Sequence, residues 1–381
     1  MRIVYCINSL SQNGGLERVT VAKSSALAII PGNHVWIITT KPGTYLFNLD
    51  NRVTLINLNI NYYEGTSGYS RLRQLLVILS KQLEHRRKLK QLFKDISPDV
   101  IISTGGIEKF VLTSFRSPSC VLIREIHTPS NSRLFYANTP YERIIAKLGD
   151  FLDYHLFIKK YNQIVVLTNE DKDRCWRNNE RVIVIPNPLC RAFPISSPLK
   201  NNTVISVGKL SKGKNYSSLI NSWSLVHTRH PDWRLIILGE GEERLALESL
   251  IEELGLADNI SLIGQVEDVG HFLVESSVFA FTSLSEGQGV SIMEAMSCGV
   301  PVVSFDCPCG PKDLIADGEN GFLVPTGNIG VMADRICYLI ENEDARIKMG
   351  YAAREVNHLY AQDVIIRKWI VLFNSLLQKR A

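Results

Sequence analysis

Short apolar runs rich in Val, Ile and Leu recur along this chain, and they constrain its fold more than any other feature. Residues 2–8, 34–40, 53–59, 100–104, 120–127, 163–169 and 181–187 are such runs, each bounded by turn residues. Most do not alternate apolar with polar, so they predict parallel strands covered on both faces. Helical stretches at 16–29, 70–93 and 143–161 lie between them. That is the βαβ rhythm of a doubly wound α/β domain. The stretch 187–202, NPLCRAFPISSPLKNN, holds three prolines and reads as a linker. The rhythm restarts at 203–209, 234–239, 260–264, 278–283 and 300–306, and a last helical run covers 361–379. The expectation is two Rossmann-like domains, 1–188 and 189–360, facing across a cleft at the carboxyl ends of their sheets. The helix within 361–381 is expected to cross back onto the first.

Composition narrows the class. The 381 residues are 45% hydrophobic and 21% charged, which excludes a disordered chain, a collagen and a coiled coil. No apolar run approaches the roughly 18–20 residues that span a bilayer. The start, MRIVYCINSL, turns polar too soon for a signal peptide and reads as a buried strand. The eight cysteines are scattered, with no CxxC and no zinc-like spacing to histidine, as in a reduced cytoplasmic protein. Charge is uneven. Residues 1–190 carry 25 Lys and Arg against 15 Asp and Glu, a net +10; residues 191–381 carry 17 against 23, a net −6. The first half should therefore meet something anionic.

Several segments are candidates for chemistry. Gly14-Gly15-Leu16-Glu17-Arg18 follows the first strand and opens a helix; a plain turn and an anion-binding helix N-terminus fit it equally. Gly208-Lys209-Leu210-Ser211-Lys212-Gly213-Lys214-Asn215 follows the first strand of the second domain. Its lysines suit a diphosphate, and a solvated basic turn is the plainer reading. It also spells G-x-x-x-x-G-K, but Asn215 stands where a P-loop needs Ser or Thr for Mg²⁺. In Glu286-Gly287-Gln288-Gly289-Val290-Ser291-Ile292-Met293-Glu294-Ala295, Glu286 sits in a Gly-rich loop. Glu294 falls in a helix among apolar neighbours, where a carboxylate needs a partner such as the paired hydroxyls of a ribose.

Other segments read more plainly. Cys307-x-Cys309 reads as two small turn residues rather than a metal pair. His127 ends a strand and either points into the cleft or caps it. Asp171-Lys172-Asp173 reads as acids at a helix start, not a metal motif. The basic stretch from Arg71 to Lys94 carries eight Lys and Arg against Glu84, with a helical stripe at Leu72, Leu75, Leu76, Leu79 and Leu83. It reads either as a core-packed helix with a solvated basic face or as a contact with an anionic membrane.

Taken in order, GGLER, SVGKLSKGKN, LGEGEER, EGQGVSIMEAMSCGVPVV and the terminal helix resemble the retaining glycosyltransferases of family 4, over essentially the whole chain. The resemblance implies the two-domain GT-B fold and transfer from a nucleotide sugar without metal or other cofactor. It implies that Glu294 binds the ribose, Glu286 lies near the donor sugar hydroxyls and Lys214 meets the diphosphate. The backbone of Gly208, Gly287, Gln288, Gly289 and Val290 joins them around the donor. Lys209 stands where the family usually has arginine, keeping the charge and losing the fork. Gly14 and Gly15 resemble a loop that closes over the donor, and His127 the histidine beside the donor sugar. Gln288 replaces a commoner aromatic and Asp313 a commoner Glu.

The segment DCPCGPKDLI is similar to members that build bacterial surface polysaccharides from UDP-hexoses or UDP-N-acetylhexosamines. The expectation is a cytoplasmic enzyme, peripheral on the inner membrane face. It would move a hexose or N-acetylhexosamine from a UDP-sugar to a glycan or polyprenyl-diphosphate-linked acceptor, with no nucleic-acid partner. The alternatives are a P-loop-like ATPase or kinase, a UDP-sugar epimerase and a non-catalytic nucleotide-sugar binder.

Overall fold

The structure is a computed structural model. It describes the chain except residues 12–13, 44–47, 63–68, 116–118, 130–131, 136, 138, 192, 194 and 380–381, and it gives no side-chain account of 71, 72, 132, 135 and 155. Parts of the predicted linker and two side chains of the basic stretch, Arg71 and Leu72, therefore lie outside the description. The chain divides into two compact units. Unit 1 comprises Met1–Leu167, Arg174–Cys190 and Gln362–Ala381; unit 2 comprises Thr168–Asp173 and Arg191–Ala361.

Unit 1 is built on a seven-stranded parallel sheet. Its strands are β1 (Arg2–Ile7), β2 (His34–Thr39), β3 (Val53–Asn57), β4 (Val100–Ser103), β5 (Val121–Ile126), β6 (Gln163–Val166) and β7 (Val182–Val184), ordered β3-β2-β1-β4-β5-β6-β7. β1, β4, β5 and β6 are buried almost throughout, because helices cover both faces of the sheet. On one side lie α1 (Gly15–Ile29) and the C-terminal helix, whose Trp369 and Phe373 pack with Tyr5 and Ile7. The other side receives the end of α2 (Arg71–Ile96) through Leu89, Phe93 and Ile96. Helix α3 (Pro140–Phe151) begins with a capping box between Thr139 and Glu142 and runs into a π-turn, Leu152–Phe157.

Of the two readings of the basic stretch, the structure sets aside the core-packed stripe. Leu75, Leu76, Leu79 and Leu83 of α2 are exposed, so the stripe is not in the core. The core is met by the following turns instead.

Unit 2 carries a six-stranded parallel sheet: β8 (Thr203–Val207), β9 (Arg234–Leu238), β10 (Ile260–Gly264), β11 (Val278–Phe281), β12 (Val302–Phe305) and β13 (Gly321–Val324), ordered β10-β9-β8-β11-β12-β13. β13 does not figure among the predicted strands. The chain runs from β8 outward through β9 to β10, then crosses back to β11 on the other side of β8, so the strand order reverses between β8 and β11. A reversal of this kind opens a crevice at the carboxyl ends of the strands, the usual ligand position in such sheets. Two helices start there: α4 (Tyr216–Arg229) and α5 (Val290–Ser297).

Residues 168–173, which the sequence reading places in the first domain, cluster with unit 2. Asp313 supplies the reason. Its carboxylate accepts from the backbone N–H of Asn169 (2.7 Å) and Glu170 (3.3 Å) and from the Asn169 side chain. Those are the first N–H groups of the helix Asn169–Cys175, left unsatisfied by the helix itself. Thr168 caps Asp171 in the same way, so the acids of the Asp171-Lys172-Asp173 run are helix-start residues.

Candidate active site

In unit 2 the loops after β8 and β11 meet at the reversal point. Lys214 Nζ donates to Glu286 Oε1 at 2.5 Å, and both side chains are largely shielded. The pair joins residues 72 apart in sequence, from two adjacent strand ends. The backbone fixes both partners. Leu284 N–H donates to Gly213 O and the Thr282 hydroxyl to Lys214 O. Glu286 N–H donates to Pro308 O, and Cys309 N–H donates to Glu286 O. The ammonium of Lys214 also lies 5.2 Å from the Phe281 ring centroid, a cation–π distance.

Gly208 makes room for this arrangement. A Cβ there would sit 3.0 Å from the Tyr216 hydroxyl and 3.3 Å from Lys214 Cε. Any side chain at 208 would therefore push on the lysine stem. Gly289 is the N-cap of α5, at φ 88°, a conformation that favours glycine. No side chain caps this helix, and its first hydrogen bonds return to Gly289 O from Ile292 and Met293. The N–H groups of the first turn thus open at the same strand end as Lys214, an arrangement suited to phosphate oxygens.

The remaining expected residues fall as follows. Gln288 is buried, with its amide 3.3 Å from the Met293 sulfur. Glu294 is buried on α5. Lys209 is exposed and donates to Glu242 at 2.9 Å, holding that carboxylate below its usual range rather than joining Lys214. Asn215 is left-handed at the start of α4, and its side chain accepts from the hydroxyls of Ser217 and Ser218. No hydroxyl stands at the P-loop position. Cys307 and Cys309 are buried, and burial first, then Glu286, pushes the Cys307 thiol well above its ordinary range. That is the opposite of a reactive thiolate or metal ligand. Among the described residues, three metal-competent groups gather at His230, Cys337 and Glu341, where Glu341 already accepts from Arg229 and pairs with His230.

Gly14, Gly15 and His127 belong to unit 1. Gly14 is the extended N-cap of α1. His127 follows β5, with Nε2 3.3 Å from Glu125 Oε1. Glu125 in turn accepts from Lys23 Nζ of α1, and both side chains of that pair are buried. Burial raises the Glu125 pKa, but Lys23 and His127 outweigh it and leave it at about 2. For Lys23 burial is the larger effect and lowers its pKa, with Glu125 opposing.

A second buried cluster lies below α3. Asp153 accepts from Arg124 (3.0 and 3.2 Å), Lys109 (2.5 Å) and Arg133 (3.0 Å). Burial raises its pKa, and Arg124 and Lys109 overcome that to hold it low. Neither cluster was anticipated. The one signal was Arg124-Glu125 inside the apolar run VLIREI, since charges in a buried strand must find partners.

Comparison with known proteins bears on unit 2 most directly. Residues 192–356 match the family model for glycosyl transferases group 1. An uncharacterized glycosyltransferase of Haemophilus influenzae is 28% identical over 97% of this chain and 98% of its own. The amylovoran biosynthesis glycosyltransferase AmsD of Erwinia amylovora is 26% identical over 98% and 99%. A poly(ribitol-phosphate) alpha-N-acetylglucosaminyltransferase of Staphylococcus aureus is 26% identical over 86% and 68%. Among solved structures, a sucrose-phosphate synthase from Thermosynechococcus elongatus has a TM-score of 0.81 at 17% identity, covering 99% of each chain. Anabaena HepE in complex with UDP has 0.75 at 18%, covering 98% of this chain and 100% of that one. Likeness at such identity concerns the fold, which is GT-B-like.

Proposed function

We propose that this chain, a glycosyltransferase with a group 1 domain over residues 192–356, moves a hexose or N-acetylhexosamine from a UDP-sugar to a glycan acceptor with retention. The pairing of Lys214 with Glu286 at the strand-order reversal carries the reading. A donor diphosphate needs fixed positive charge where its negative charge grows as the glycosidic bond breaks. Lys214 and the open N–H groups of α5 supply it without a metal ion. Glu286, already bonded to that lysine, is placed to accept from the sugar hydroxyls, and Glu294 to hold the ribose. Gly287, Gln288, Gly289 and Val290 contribute backbone contacts, and His127 of unit 1 is assigned to the sugar. Retention is assigned to front-face transfer, with the leaving phosphate helping to deprotonate the acceptor hydroxyl.

The acceptor is proposed to be a surface polysaccharide intermediate, glycan or polyprenyl-diphosphate-linked, met at the cytoplasmic face of a membrane. The biosynthetic roles in the names of the Erwinia and Staphylococcus relatives support this, as does the net +10 of residues 1–190. No helix among the described residues is long and apolar enough to cross a membrane.

The test is UDP release from a panel of UDP-hexoses and UDP-N-acetylhexosamines in EDTA, with and without lipid-linked glycan extracts. Acceptor-dependent release giving an α-linked product supports the reading. Epimerised donor without acceptor, or nucleotide binding with no transfer to any extract, contradicts it.

A further inference from the structure

Helix α3 is amphipathic the wrong way round for a core helix. Ile144, Ile145, Leu148 and Leu152 recur at helical spacing, and the first three are 51–66% exposed. Ala146, Asp150 and Asp153 face inward instead. The cause is the ion cluster beneath. Asp150 accepts from Arg133, and Asp153 from Arg124, Lys109 and Arg133. Rotating α3 to bury its isoleucines would strip these carboxylates of their partners and leave three cations without counter-charge. The charge clamp therefore fixes the apolar stripe outward.

Leu79 and Leu83 of α2 border the same surface. A groove of about 680 Å³ runs between the helices, with Leu79, Leu83 and Arg86 on one wall and Gly149, Leu152 and Phe157 on the other. Of the twenty-two large apolar side chains exposed on the described surface, eleven lie within 75–83 and 141–156. A patch so concentrated is a binding surface, not chance exposure. Arg86 and Arg133 line the groove, and the same elements expose further cations: Arg87 and Lys90 on α2, Arg143 and Lys147 on α3, then Lys159 and Lys160. Glu84, the one acid in the middle of α2, is taken up by Lys81 and Lys88.

An apolar stripe flanked by Lys and Arg matches an anionic lipid leaflet, whose headgroups meet the cations while the apolar side chains enter the acyl boundary. We infer that the α2–α3 face is a membrane-inserting surface and that its groove receives lipid acyl chain. The inference rests on the proposed membrane-borne acceptor for its purpose and deepens it. The contact assigned there to the basic charge of α2 becomes an insertion led by α3.

Charge attraction alone is screened at high salt, whereas inserted apolar area is not. The experiment is flotation of the full chain with phosphatidylcholine vesicles containing phosphatidylglycerol, at about 0.05 M and about 0.5 M salt. The expected result is binding at both, weakened severalfold but kept at the higher. The double variant Ile144→Glu, Leu148→Glu should lose tenfold or more of the binding at both, with its melting temperature and UDP affinity unchanged. Binding abolished by salt, or unaffected in the double variant, overturns the insertion. So does a wild-type dimer in sedimentation that the variant dissociates, because the face would then join two copies. Loss of UDP binding with flotation intact would overturn the transferase reading and leave this surface standing.

Discussion

Replacing Lys23 with Met tests whether the buried charges of unit 1 hold it together as described. Lys23 and Glu125 are each 1% exposed, and the lysine bonds directly to the carboxylate. Removing the ammonium leaves Glu125 buried beside His127 alone. Glu125 has a folded pKa of about 2 against an ordinary 4.5. Lys23 and His127 share in that depression while the Lys23 pKa moves against it, so the scale is that of buried pairs in general: removing one partner costs about 3–5 kcal/mol. In a unit of this size each kcal/mol moves the melting temperature by about 2–4 °C. The expected fall in the unit 1 transition is thus roughly 6–20 °C at neutral pH, read by calorimetry.

The pH dependence has a definite sign. The Glu125 pKa is depressed on folding, so its contribution is full above about 4.5 and is lost as pH falls toward 2. The gap between wild type and Lys23→Met should therefore narrow over that window. A shift under about 2 °C at neutral pH, or a gap that widens with acid, would refute the reasoning.

Three further outcomes are expected. Glu286→Gln removes the negative charge beside Lys214, so UDP should bind as well or more tightly while kcat falls about 10²–10³-fold; isothermal titration beside steady-state kinetics separates the two, and weaker binding with kcat intact would contradict the assignment. His85 is buried against the Tyr62 hydroxyl at 2.7 Å, and burial, then Lys88, lowers its pKa to about 4. Its neutral form is favoured on folding, so stability should drop as pH falls from 6.5 to about 4; His85→Phe should flatten that limb of the melting curve, and an unchanged slope would count against it. Asp313→Ala removes the acceptor for the N–H groups of Asn169 and Glu170 and should cost unit 2 about 1 kcal/mol in denaturant unfolding, with no loss if water replaces the carboxylate.

Most strands were readable in the sequence because fully covered parallel strands must be apolar throughout, and few other elements produce such runs. β13, no shorter than the β4 that was read, escaped because it opens on Gly321 and stops at Pro325, both of which read as turn residues. Periodicity revealed the apolar stripe of α2 but not the side it faces. That choice is made by His85, Leu89 and Phe93 further along the same helix. For α3 it is made by Arg124 and Lys109, which lie 29 and 44 residues from Asp153. Lys214 and Glu286 were each visible as motif residues. Their mutual bond was not, because it depends on the strand order of β8 and β11. Lys209 was drawn to the same group by charge, whereas its neighbour in space is Glu242 on the turn after β9. Spacing along a chain identifies residue types suited to a chemistry; partners across a sheet depend on topology.

The central claim is that unit 2 holds a uridine diphosphate through Lys214 and Glu294 without metal. Calorimetric titration of UDP, GDP and ADP in EDTA, into the wild-type chain and Glu294→Ala, measures it most directly. The account predicts UDP-selective binding in the wild type that Glu294→Ala abolishes. Binding of adenine nucleotides alone, or binding that appears only when Mg²⁺ is restored, would contradict it.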